Sequence, residues 1–204
     1  MNAEEYQEVV KSVEDSGIRI RKVKVQKGRV TINYQESSPA GGWTDCAISS
    51  HEQPRPQLPV ALGRMADHVI ETCELQEGDL DRIQVHGVSI GYHMSNDQDQ
   101  RSIVITATRK LHQSLAPMVI NTPAKKEEVD GKKEDPRTAM TIECNQDMVV
   151  VMAEAIRYIN GERQQERLDL GGGAPPEVPE EASNVIPIKK RKVKTRDGST
   201  AEVG

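Results

Sequence analysis

Two long segments of alternating apolar and polar residues constrain this fold more than any other feature. Residues 18–34 and 83–111 both show the period of two that is typical of strands with one buried face. The alternation changes parity near Arg21–Lys22 in the first segment and near Gly87 in the second. A β-bulge shifts parity in this way, so we predict two bulged hairpins, the first turning at Lys27–Gly28.

Two further elements complete the predicted fold. Leu58–Leu75 carries apolar residues at spacings of three and four, which predicts an amphipathic helix. Trp43–Ser50 is expected to add one strand to the first hairpin. We therefore predict an α+β fold: an antiparallel sheet of about five strands, two bulged hairpins plus one strand, packed by this helix.

Composition limits how much of the chain can enter one core. Only 35% of the residues are hydrophobic and Phe is absent, which favours one modest core with polar flanks. The expected segments are a short N-terminal helix at 1–16, a compact α+β domain at 17–123, a charged linker at 124–137, an amphipathic helix at 138–170 and a disordered tail with a basic cluster at 171–204.

Positive charge is concentrated in the first hairpin, although the net charge of the chain is −5. Strand alternation places Lys22 and Lys24 on the solvent face once Val23 and Val25 point inward. A polar ribbon with several cations suits phosphate groups of DNA or RNA. A solvated sheet face or a lysine-protected edge is the alternative interpretation. The candidate nucleic-acid-binding residues are Arg19, Arg21, Lys22, Lys24, Lys27, Arg29 and Trp43.

Trp43 follows Gly41–Gly42 and is the better surface candidate for base stacking, because Tyr34 and Tyr92 fall on the apolar parity of their strands. A second basic cluster, residues 188–196, has four open interpretations: contact with nucleic acid, contact with an acidic partner, a nuclear localisation signal, or a solubilising tail.

The last predicted helix carries an apolar stripe that needs something to pack against. We expect this helix to begin near Asn145 as its N-cap. The stripe could pack back on the sheet, pair in a homodimer or dock on another protein. The candidate partner-binding residues are Val149, Met152, Ile156 and Ile159.

Local motifs for catalysis, metal binding or cofactor binding are absent from the sequence. No CxxC, HxH or HExxH spacing occurs, and Gly41–Gly42 lacks the Lys-Ser/Thr of a phosphate loop. No catalytic residue, metal or cofactor is therefore predicted. A site assembled by long-range contacts stays open, and a pocket that gathers His86, His93 or Arg109 would indicate one.

The cysteines and the hydropathy pattern indicate the compartment. No stretch approaches the roughly 18 apolar residues that a membrane-spanning helix needs, so no membrane association is expected. Cys46, Cys73 and Cys144 are odd in number and widely separated, which fits free thiols in a reducing compartment. We predict a cytoplasmic protein.

Three stretches resemble small proteins of tailed bacteriophages and prophages: residues 103–111, Asn121–Pro123 and Arg157–Arg163. The resemblance covers about residues 80–167, and its motifs have no assigned chemistry. It implies a bacterial host cytoplasm and an early phage function such as DNA replication, recombination or countering host defence.

Three functional hypotheses follow. The first is a non-enzymatic, phage-type accessory protein that associates with nucleic acid through the basic hairpin. The second is a protein-interaction module, a host-factor inhibitor or an assembly factor, acting through the helix at 145–168 or by homo-oligomerisation. The third is a ligand-sequestering protein or an enzyme with a non-local site.

Overall fold

Three α-helices, one 3₁₀ helix and seven strands make up the fold in a computed structural model that describes residues 3–95, 98–129 and 135–164. These residues belong to one compact unit. The predicted tail at 171–204 and the end of the last helical segment lie outside them. The elements are α1 (Ala3–Asp15), β1 (Ile18–Gln26), β2 (Arg29–Ser37), β3 (Trp43–Ser50), α2 (Gln57–Thr72), a 3₁₀ helix (Glu77–Arg82), β4 (Ile83–Ser95), β5 (Gln98–Arg109), β6 (Met118–Asn121), β7 (Lys125–Lys126) and α3 (Ile142–Ile159).

All the strands belong to one antiparallel sheet in the order β3-β2-β1-β4-β5-β6, with β7 also paired to β5. The α+β class is thus confirmed, with more strands than the five or so that we predicted. The additional strands are β6 and β7, and β7 lies in the segment expected to be a linker. Only Ile120 is buried in β6, so neither strand has an alternation that the sequence could reveal.

Both predicted bulges are present. The pairing register shifts between Ile20 and Lys22 in the first hairpin and between Val85 and Gly87 in the second. Gly87 has a further role, because a Cβ at this position would lie 2.2 Å from the carbonyl oxygen of Val23. Only glycine therefore lets β4 approach β1 closely enough to join the two hairpins into one sheet.

The helices cover one face of the sheet and leave the other open. α2 packs against β4 and β5, while α3 packs against β1, α1 and α2. The core between these layers combines Ile20, Val23 and Ile32 from the sheet with Met65 from α2 and Met148 from α3. No helix in the described part of the chain is long and apolar enough to span a membrane.

α3 begins one turn earlier than predicted, and Asn145 is not its N-cap. The cap is Thr141, whose hydroxyl oxygen accepts a hydrogen bond from the backbone N–H of Cys144 at 3.2 Å. Thr141 and Asn145 both have side chains that can cap a helix. Cys144 is buried in the core, and this burial favours the helix that begins after Thr141. Asn145 instead donates from Nδ2 to Glu127 Oε1 at 3.1 Å.

Candidate nucleic-acid interface

The sheet face opposite the helices, here called the outer face, has β1 near its middle. Lys22 and Lys24 of β1 lie opposite Asn33 and Thr31 of β2, and their other neighbour is β4. Because side chains at paired positions point to the same side of a sheet, these residues share the outer face. The short polar side chains around the two lysines are Thr31, Asn33, Ser49, Ser89 and Thr106.

The predicted cations of the first hairpin occupy three different positions: the outer face, the hairpin turn, and the start of β1 with the bulge at Arg21. Lys22 and Lys24 lie on the outer face, and Arg29, opposite Gln26, extends that row toward the hairpin turn. Lys27 lies in the turn itself, where a φ of 53° is followed by a φ of 69° at Gly28. This two-residue geometry fits the tight turn expected from the sequence. Lys22, Lys24 and Arg29 are called the cationic row below.

The hairpin cations other than Arg19 have no ion-pair partner in the part of the chain that the structure describes. Within the described residues, Arg21, Lys22, Lys24, Lys27 and Arg29 form no ion pair. The outer-face acid Asp45 lies on β3, two strands away from Lys22, and accepts a hydrogen bond from Gln35 Nε2 at 2.8 Å. No described Asp or Glu is a direct pairing neighbour of the cationic row. Elsewhere in the described chain, ion pairs with carboxylates are formed by Arg19, Arg55, Arg82, Arg101, Arg109, Arg137, Arg157 and Arg163.

His86 adds a titratable group to the outer face. It occupies the second bulge, and its Nε2 lies 2.8 Å from Thr108 Oγ1. Partial burial and the nearby charge of Lys24 lower the pKa of His86 from its usual value. The face therefore contains, close to the cationic row, a histidine whose pKa is lowered.

Arg19 and Trp43 lie apart from the cationic row, at the end of the sheet where β1 begins. The Arg19 guanidinium lies 3.9 Å from the centroid of the Trp43 ring and forms an ion pair with Asp99. The same guanidinium lies 5.3 Å from the Tyr92 ring, and that of Arg21 lies 5.7 Å from it. Among the described cations of this hairpin, Arg19 is thus the one that combines aromatic contacts with an ion pair.

A groove with a volume of about 540 Å³ opens beside this cluster and extends toward the helices, since its lining includes Val13 of α1 and Met152 of α3 as well as Trp43 and Arg19. Deeper in the groove, Arg101 Nε donates to Glu127 Oε2 at 2.7 Å, and Arg101 Nη2 donates to Glu127 Oε1. Burial raises the pKa of Tyr92 here, although nearby arginines oppose the shift. The groove thus combines aromatic surface with paired charges.

Sequence reasoning missed Asp99, Arg101 and Glu127. One signal existed, because Arg101 occupies the inward parity of the second hairpin, opposite Tyr92. A charged residue on an apolar parity needs a partner. The sequence does not reveal that this partner is Glu127, because Glu127 reaches Arg101 only through the pairing of β7 with β5.

The groups that would indicate a non-local catalytic site are not brought together. His86 contacts Thr108, His93 Nε2 lies 3.3 Å from Ser102 Oγ, and Arg109 forms an ion pair with the buried Asp79. In the described ranges, no group of three or more His, Cys, Asp or Glu side chains could hold a metal ion.

The candidate partner-binding stripe of α3 faces the interior of the protein. Val149, Met152 and Ile156 are 0%, 2% and 5% exposed, and Ile159 is partly buried against the same core. Packing on the sheet and on the other helices, the first of the three expected possibilities, accounts for this stripe. Docking on another protein through these residues would require α3 to leave the core.

The described residues form an α+β fold in which the helices leave one sheet face uncovered, and that face carries the cationic row. No family model, curated protein or solved structure matches the chain. The basic cluster at 188–196 lies outside the described residues.

Proposed function

We propose that this protein is a non-enzymatic, phage-type accessory protein that binds nucleic acid on the outer face of its sheet. The observation that carries the proposal is the cationic row, Lys22, Lys24 and Arg29, which has no acid beside it among the described residues. Unpaired cations on an accessible face attract a polyanion, and phosphate binding releases the counterions condensed on it.

The shape of the outer face supports the same function. Six strands at about 4.8 Å spacing make a face roughly 24 Å wide, which is enough to accommodate a nucleic acid strand. The side chains around the cationic row are short, so a backbone can approach Lys22 and Lys24 closely. Thr31, Asn33 and Ser49 add hydrogen-bonding groups for phosphate or sugar oxygens.

The test compares two charge-reversal variants. K22E/K24E/R29E removes the cationic row, whereas K11E/R64E/K110E makes the same change in net charge at exposed residues outside that row. Fluorescence anisotropy with a labelled oligonucleotide gives the affinity across a salt series, and circular dichroism checks that both variants are folded. We expect the first variant to lose binding and the control to retain most of it.

The salt dependence makes the test quantitative. If the three cations of the row neutralise about three phosphates of a single strand, they contribute about −2 to the slope of log K against log salt. This contribution should disappear in K22E/K24E/R29E. Equal binding and equal salt slopes in the wild type and this variant would contradict the proposal.

A further inference from the structure

We propose that the nucleic acid bound on the outer face is single-stranded, and that one of its bases stacks on Trp43 at the mouth of the groove. This inference rests on the proposed function and specifies its ligand. The structural basis is the position of Trp43, the support of its ring by Arg19, and the charge of the groove beside it.

Trp43 presents the most accessible aromatic surface in the described chain. It is 41% exposed, while Tyr6, Tyr34 and Tyr92 are partly buried and Tyr158 is buried. The Arg19 guanidinium lies over the ring at 3.9 Å and is itself fixed by Asp99. An indole held in this way is oriented before a ligand arrives, so little conformational freedom is lost when a base stacks on it.

The charges of the groove favour a base over a phosphate. Its lining includes the carboxylates of Glu14, Asp99, Glu127 and Glu128 and only two cations, Arg19 and Arg101. Both cations are already paired with carboxylates. A phosphate would be repelled here, whereas a neutral base offers ring and amino N–H groups to the carboxylate oxygens. Phosphates therefore belong on the cationic row and a base belongs beside Trp43.

The two subsites are within reach of one strand. Trp43 pairs with Ser37, four residues along β2 from Asn33, which lies opposite Lys22. With about 3.3 Å per residue along a strand and about 4.8 Å between strands, Trp43 and Lys22 are roughly 16 Å apart. A few nucleotides span this separation. In a duplex the bases are paired and stacked internally, so one would have to be extruded at a cost in free energy.

Trp43 is the only tryptophan of the chain, so its fluorescence reports on this subsite without labelling. The full-length protein is titrated with an oligodeoxyadenylate and an oligoadenylate of about 20 nucleotides and with a duplex of the same length, since single-strand modules usually cover about 4–16 nucleotides. Anisotropy of labelled copies measures affinity in parallel. We expect both single strands to quench Trp43 and to bind more tightly than the duplex.

Two variants separate stacking from general charge attraction. W43A should weaken single-strand binding roughly 5- to 150-fold, the loss of one base stack, while W43F should retain most of the affinity. Binding of single strands and duplex with equal affinity and no quenching, or unchanged affinity in W43A, would overturn the inference and leave the proposed function standing. If neither form binds, both the inference and the proposed function are overturned.

Discussion

The guanidinium of Arg19 lies 3.9 Å from the centroid of the Trp43 ring while forming an ion pair with Asp99. Arg19 belongs to β1, Trp43 to the edge strand β3, and Asp99 to β5. One side chain thus links the first hairpin, the edge strand and the second hairpin at the same end of the sheet. The Arg19–Asp99 ion pair that supports the most exposed aromatic ring of the described chain joins residues 80 positions apart in sequence.

Removing Arg19 should release the Trp43 ring. In R19A we expect the Trp43 emission to shift to longer wavelength, because the covered ring face becomes hydrated. We also expect the free energy of unfolding to fall by about 1 kcal/mol, the usual contribution of a partly exposed cation–π contact. R64A, at an exposed arginine without an ion pair in the described chain, is the control. An emission spectrum unchanged in R19A would show that Arg19 does not cover the indole in solution.

Gly87 should be intolerant of any side chain. A Cβ there would lie 2.2 Å from the carbonyl oxygen of Val23 and 2.9 Å from the Cα of Lys24, and backbone atoms cannot move aside as a flexible side chain can. We expect G87A to lower the free energy of unfolding by about 2–3 kcal/mol, measured by urea denaturation.

Gly63 provides the matched control. It lies inside α2, and a Cβ added there would have no heavy atom of another element within 4 Å, so G63A should stabilise the protein by about 0.5–1 kcal/mol through helix propensity. Equal stability of G87A and the wild type would mean that β4 does not approach β1 as described.

His86 should make the stability of the unbound protein depend on pH. Because burial and Lys24 lower the pKa of His86 in the folded state, the unfolded chain binds its proton more tightly. The resulting stability is present above the unfolded pKa of about 6.5 and is lost as the pH falls through the lower folded value. In urea denaturation at a series of pH values, H86Q should lose less stability on acidification than the wild type. H112Q, at an exposed histidine after β5, should behave as the wild type does.

In the unbound protein, burial and Lys24 disfavour protonation of His86. A phosphate bound beside Lys24 should have the opposite effect and favour protonated His86. Oligonucleotide affinity should therefore rise between about pH 7.5 and pH 5.5, and H86Q should show a smaller rise. The affinity is measured by anisotropy at constant ionic strength. Identical pH profiles for H86Q and the wild type would place the bound phosphates away from His86.

The parts of the fold that could be predicted are those where burial of one face makes apolar residues recur at the period of a strand or a helix. Both bulges were predicted because the buried parity changes at Arg21–Lys22 and at Gly87. The same alternation placed Lys22 and Lys24 on the outer face. β6 and β7 were missed because almost none of their side chains are buried.

The groove could not be predicted because its contacts are long-range. Arg19 and Asp99 are 80 residues apart, and Arg101 and Glu127 are 26 residues apart. Their meeting depends on which strands pair, and that order is set by the packing of the whole sheet. The α3 stripe illustrates the same limit, since its amphipathic pattern is identical for a helix that packs within the chain and for one that binds a partner.

Ultraviolet cross-linking of the full-length protein to an oligonucleotide, followed by mass spectrometry of the cross-linked peptides, shows directly which residues contact nucleic acid. An oligonucleotide of about 20 nucleotides is long enough to cover the outer face. We expect cross-links in β1, β2 and β3, with Trp43 among the modified residues, and their loss in K22E/K24E/R29E. Cross-links confined to residues 188–196 or to the helices, unchanged in that variant, would contradict it.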